Sequence, residues 1–179
     1  MKNSVHSTLV SVKDIIGSKA VFNIPRYQRL YVWTHEQVNM LLTDFFQACK
    51  EDRNLFYLGS VLIVKKSDDE DCYDLIDGQQ RFTTLWLLSL ILGGELSEFT
   101  SLGKQSRLRF SIREEVKAYF EASLNNKTIT PAMDENIEYG SLARIVEAKI
   151  QIQGFIEKKF AADSDALVIS ETLYVTESS

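Results

Sequence analysis

Residues Tyr73 to Leu85 read Tyr-Asp-Leu-Ile-Asp-Gly-Gln-Gln-Arg-Phe-Thr-Thr-Leu, and no other stretch constrains the fold as strongly. An apolar strand with Tyr73, Leu75 and Ile76 runs into Asp77-Gly78, and a helix begins at once with Gln79-Gln80-Arg81. A glycine at that junction lets the backbone turn sharply and lets a ligand come close to the amides. The first helical turn carries unpaired N–H groups and partial positive charge, which suits an anion. Arg81 adds a planar, permanently charged fork beside them. On this reading Asp77, Gly78, Gln79, Gln80 and Arg81 form a phosphate site. The plainer reading makes Asp77 an N-cap and Gln80 its capping-box partner, with Arg81 snorkelling. Capping accounts for Asp77 and Gln80. It does not account for a cation in the first turn, where it opposes the helix dipole.

A second stretch, Ile24-Pro25-Arg26-Tyr27-Gln28-Arg29-Leu30-Tyr31-Val32-Trp33, interleaves cations with aromatic rings. Pro25 biases Ile24 to an extended backbone. If the segment stays extended, Tyr27, Arg29, Tyr31 and Trp33 share one face by the two-residue period. Such a face either stacks a base and holds its phosphate, or forms a ladder in which Arg29 covers rings at the rim of the core.

The rest of the chain reads as mixed α and β. Residues 8 to 16 suggest a short helix or irregular segment with Leu9, Val12, Ile15 and Ile16 inward, and 20 to 24 a strand. Thr34-His35-Glu36-Gln37 is a capping box opening a helix to about Glu51, with Val38, Leu41, Leu42, Phe45 and Phe46 as its core stripe. Residues 57 to 65 and 71 to 76 predict a hairpin of strands, and a helix from Gln79 stops at Gly93-Gly94. Residues 95 to 106 predict a loop. Arg107 to Ile112 alternates like a strand, with Leu108, Phe110 and Ile112 inward. Arg107 and Arg109, with Arg113 nearby, would then make a basic outer face, either solvated or DNA-facing. Helices are expected over 113 to 124 and 136 to 160, a loop containing Pro131 between them, and a last strand over 167 to 175.

The chain has 179 residues, of which 45% are apolar, so it can bury a substantial core. Its net charge of −5 excludes a general polyanion binder, and any DNA contact has to be local. Cys49 and Cys72 have no metal-ligand spacing and fit free thiols in a reducing cytoplasm. With only His6 and His35 besides, no metal site is expected. The polar start lacks the pattern of a secretory signal, and Leu85 to Leu92 is too short to span a bilayer. A cytoplasmic protein without membrane contact is the expectation.

Three motifs in order, Ile24 to Trp33, Phe56-Tyr-Leu-Gly-Ser-Val-Leu-Ile63 and Tyr73 to Leu85, resemble the N-terminal domain of GmrSD-type, modification-dependent restriction endonucleases. The likeness is close over about residues 20 to 92 and loose beyond. It implies an α+β, ParB/sulfiredoxin-like mixed-sheet domain with C-terminal helical additions. We divide the chain accordingly into a nucleotide-binding core, 1–94, and a helical and strand extension, 95–179.

The resemblance also implies binding of a nucleoside triphosphate, GTP or ATP, with hydrolysis and Mg²⁺ as its companions, in bacterial defence against modified or foreign DNA. Asp77, Gln79, Gln80 and Arg81 are the expected catalytic set, with Gln79 or Gln80 orienting a water. Tyr27, Gln28, Arg29, Tyr31, Gly78, Arg81 and Thr84 are expected to bind the nucleotide. The rival reading is a non-catalytic DNA-recognition module. Relatives continue with further helices and often an HNH-type nuclease domain, so a truncated chain that does not itself cut DNA is expected.

Overall fold

Strand Val21–Ile24 (β2) is buried at all four positions, and the sheet is assembled around it. The computed structural model describes residues 7–51, 56–66, 71–111, 114–125, 140–162 and 173–178. Besides β2, the six-stranded sheet contains Ser7–Ser11 (β1), Phe56–Lys65 (β3), Cys72–Asp77 (β4), Leu108–Phe110 (β7) and Leu173–Ser178 (β8). Two short strands, Ser101–Leu102 (β5) and Gln105–Ser106 (β6), form a separate hairpin. Strand order is β1-β8-β3-β4-β2-β7. β2 lies parallel to both β4 and β7, so these three strands end at one edge of the sheet. β3 runs antiparallel to β4 and parallel to β8, which pairs antiparallel with β1. The fold is α+β with a mixed sheet.

The helices are Val12–Gly17 (α1), His35–Lys50 (α2), Gln79–Leu92 (α3), Ser97–Thr100 (α4), Glu114–Leu124 (α5) and Ser141–Ala162 (α6). α3 is the central one. Gln79, Gln80 and every residue from Phe82 to Ser89 are buried, as expected of a helix covered on all sides. Its Trp86 donates its indole N–H to the Thr100 carbonyl at 2.9 Å and stacks on Phe120 at 4.2 Å. α2 buries the stripe Val38, Leu42, Phe45 and Phe46, and Gln37 closes its capping box by accepting from the Thr34 N–H at 2.8 Å. Ile145 and Ile152 of α6 complete the same core.

Several elements depart from the sequence expectation. Residues 8 to 16 hold a strand and then a helix, because Ser11 caps α1: its hydroxyl accepts from the Asp14 N–H at 3.0 Å, and the Asp14 carboxylate accepts from the Ser11 N–H at 2.8 Å. The Ser11 hydroxyl, which also donates to that carboxylate, and then the Ser11 N–H hold the Asp14 carboxyl below its ordinary value. Leu9, expected inward, is exposed, since the extended β1 turns Val10 to the core instead. The stretch expected as a loop carries a 3₁₀ turn over Gly94–Leu96, α4 and the β5–β6 hairpin. The loop around Pro131 lies outside the described residues. Phe99, Phe110, Phe120 and Ile145 pack into one core with Phe22 and Leu75, and β7 and β8 join the sheet. Residues on both sides of position 94 thus contribute to one core. Among the described residues, no helix is long and apolar enough to cross a membrane.

Candidate anion site at the strand ends

β4 passes into α3 through Gly78, which has φ 82 and is itself the N-cap, with no side chain to offer the first-turn amides. The expected Asp77–Gln80 capping box is absent. Asp77 is the last residue of β4 and exposed, and the Gln80 amide is engaged elsewhere. Gly78 lies tightly on β3: a Cβ there would sit 3.0 Å from a Val61 methyl and 3.1 Å from the Ser60 carbonyl oxygen. Arg81, one turn into the helix, lies over the same strand. It donates from Nη2 to the Ser60 carbonyl at 2.8 Å, and its Nη1 is 1.9 Å from where a Gly59 Cβ would stand. Gly59 has φ 107, next to a register shift between Tyr57 and Ser60. An isolated glycine inside a strand pattern signals such a bulge or a close approach, so Gly59 was readable from Phe56-Tyr-Leu-Gly-Ser.

The segment after β2 does not stay extended. The Gln28 N–H donates to the Pro25 carbonyl at 3.1 Å, closing a turn that ends the two-residue period. Tyr27, Arg29, Tyr31 and Trp33 therefore do not share a face. Tyr27 is 71% exposed and Tyr31 only 3%. Arg29 is exposed, and Trp33 is half-buried against the core. Glutamine side chains hold this loop to the α3 turn. Gln28 Nε2 donates to the Ile76 carbonyl at 2.9 Å, and Gln79 Nε2 to the Arg29 carbonyl at 3.0 Å. Gln80 Nε2 donates to the Leu30 carbonyl at 2.8 Å while its Oε1 accepts from the Val32 N–H at 2.9 Å.

Tyr31 and Thr84, both expected at the ligand, are interior partners. Their hydroxyls are 2.8 Å apart, Thr84 is 0% exposed, and Thr84 also donates to the Gln80 carbonyl. Burial pushes the Tyr31 phenol up to about 12 despite that hydrogen bond. The unfolded chain ionises near the ordinary tyrosine value while the folded chain holds its proton, so stability is lost as pH rises from about 10 to about 12. Urea unfolding across that window should show Tyr31→Phe losing less stability than wild type, by on the order of 2 kcal/mol. Parallel losses in the two proteins would show that the phenol does not govern the alkaline limb.

The expected basic face is also reorganised. Arg107 is 3% exposed and is neither solvated nor available to DNA. It stands at the bend between β6 and β7, where the alternation fails, and its guanidinium turns inward to four carbonyls. Nε donates to Glu98 and Ser101 at 2.9 and 3.2 Å, Nη1 to Ala20 at 2.9 Å and Nη2 to Ile16 at 3.0 Å. Desolvation lowers its pKa, with Glu98 opposing the shift. Arg109 remains exposed, donating to Gln105 at 2.8 Å, and Arg113 lies outside the described residues.

The β2–α2 loop and the β4–α3 turn thus meet at the carboxyl ends of parallel strands, the usual ligand edge of open sheets with helices packed on them. A glycine turn and a helix start without a capping side chain lie at this edge, with Arg81 one turn into the helix and Arg29 in the facing loop. The chain belongs to the family of GmrSD restriction endonuclease N-terminal domains, which matches over residues 12–177. None of the curated proteins matches the chain.

Proposed function

We propose that this chain is a nucleoside triphosphate-binding regulatory domain of a restriction system, and that it turns the nucleotide over. One observation carries the reading: α3 starts at a left-handed glycine with no capping side chain, at the carboxyl edge of β2 and β4. Its first-turn amides and its positive end are thereby left for an external anion. Arg81 and Arg29 supply the permanent charge, and the exposed ring of Tyr27 offers a surface for the base. Family membership sets the context, and a ParB/sulfiredoxin-like ancestry and a separate HNH-type nuclease domain belong to the same proposal.

Asp77 is the carboxylate beside the turn. Among the described residues no group of three His, Cys, Asp or Glu could hold a metal, so Mg²⁺ would be held by phosphate oxygens and water with Asp77 alongside. Tyr31, Thr84 and Arg107 are left out of the ligand set because they are buried on internal partners.

Titration with GTP and ATP, with and without Mg²⁺, tests the reading. Arg81→Ala should weaken triphosphate binding at least tenfold, since a charge-assisted contact is worth roughly 1.5–3 kcal/mol. The half-exposed side chain makes one described hydrogen bond, so melting should change little. Wild-type affinity in the variant would sink the phosphate site. Binding of DNA but not nucleotide, weakening steeply with salt, would favour the DNA-recognition reading instead.

A further inference from the structure

We infer that Gln79 and Gln80 are positioning residues: their side-chain amides act as an artificial strand that fixes the Arg29 backbone beside the α3 turn, so that Arg29 and Arg81 face one anion. This rests on the phosphate reading above. Both glutamines are 4% exposed, though they open a helix at the rim of the sheet, where glutamine is ordinarily solvated. Both Gln80 polar atoms and Gln79 Nε2 are spent on backbone. Gln80 donates to the Leu30 carbonyl and accepts from the Val32 N–H, the two bonds a neighbouring strand would make across residue 31. Gln79 adds the bond to the Arg29 carbonyl, so the Arg29 main chain stands one glutamine side chain away from the turn.

Residues 29 to 34 are assigned to no strand or helix, and Leu30 and Val32, on either side of the buried Tyr31, are 44% and 47% exposed, so apolar burial does not hold the backbone at those two positions. Tyr31 anchors the middle through Thr84, and its own N–H donates to the Ser141 hydroxyl at 3.1 Å. The glutamines fix the residues on either side. A glutamine that orients an attacking water must present its amide to solvent-filled space beside the phosphate. Gln80 does not do so here, since both its polar atoms are hydrogen-bonded to the loop, and Gln79 has committed its Nε2 to the Arg29 carbonyl. Helix and loop are separated by about fifty residues in sequence, so the paired glutamines couple the two halves of the site.

Two measurements test this, one independent of any ligand. In the free protein, hydrogen exchange should show the Val32 N–H protected, and Gln80→Met should remove that protection while the α3 core stays protected. Binding of inorganic tripolyphosphate should fall about tenfold in Gln80→Met. Arg29→Ala should weaken binding in the parent, but add nothing in the Gln80→Met background, whereas Arg81→Ala should still add its full effect. If Gln80→Met does not fold, Gln79→Met, which removes the bond to the Arg29 carbonyl, is read by the binding and additivity measurements in its place. A water-orienting glutamine gives the opposite split, lower turnover at unchanged affinity, and that result overturns the proposal. Full additivity of the Gln80 and Arg29 changes overturns it too. If wild type binds no tripolyphosphate, the phosphate reading fails, and the exchange result still decides whether Gln80 holds the loop.

Discussion

Arg107→Ala is expected to destabilise the domain by about 4 kcal/mol, from the loss of charge-assisted bonds and the stranding of buried acceptors. The guanidinium gathers carbonyls of Ile16, Ala20, Glu98 and Ser101, which come from the end of α1, the approach to β2, α4 and β5. Its backbone does the same work: the Arg107 N–H donates to Thr100 and its carbonyl accepts from Phe22. Truncation removes the donors and leaves the acceptors in a dry place. For a chain of this size the melting temperature should fall by about 10 °C. Arg107→Lys should recover only part, because an ammonium cannot reproduce a flat fork serving four oxygens. Arg109→Ala, two residues along and exposed, should stay within roughly 0.5 kcal/mol. Urea unfolding of the three variants checks this, and equal small losses at 107 and 109 would refute the clamp.

Gly78→Ala should cost about 3 kcal/mol of stability, and triphosphate binding with it. The left-handed backbone accounts for roughly 1–2 kcal/mol in a residue with a Cβ. The remainder is contact. Of the atoms facing the added methyl, the Ser60 oxygen at 3.1 Å and Val61 Cα at 3.2 Å are main chain of β3 and cannot rotate away. Denaturation of Gly78→Ala checks this, and a loss of no more than about 1–2 kcal/mol, the conformational cost alone, would mean that the close approach of α3 to β3 carries no weight.

Local pattern determined much of this structure. The capping box at Thr34, the core stripe of α2, the strand before Asp77 and the helix stop at Gly93 all depend on residues within a turn or two of each other. So did the glycine turn, since an apolar strand meeting a helix at one glycine has few conformations. What escaped was the destination of side chains whose partners are distant in sequence. Residues 27 to 33 read as an extended face, but bonds from Gln28, Gln79 and Gln80 across 48 to 50 positions bend the segment and bury Tyr31. Arg107 reads as an outer-face cation by alternation, and only acceptors as far as 91 residues away turn it inward. Polar side chains with long reach choose partners by tertiary geometry, to which two-residue and 3.6-residue periods are blind.

The place of β8 has a kinetic side. Among the described residues β1 reaches the rest of the sheet only through β8, with Ser7 paired to Ser178 and Ser11 to Tyr174, while the other edge of β8 pairs with β3. A ribosome therefore releases β1 long before it makes β8, the strand that pairs with it among the described residues. Until residues 173–178 emerge, β3 presents a bare edge and β1 is a tail without a partner. Closing so long a loop carries a heavy entropic cost before any pairing repays it. The half of the sheet built on β2, β3, β4 and α3 can gather while synthesis continues, and the β1–β8 half must be the last part of the domain to set.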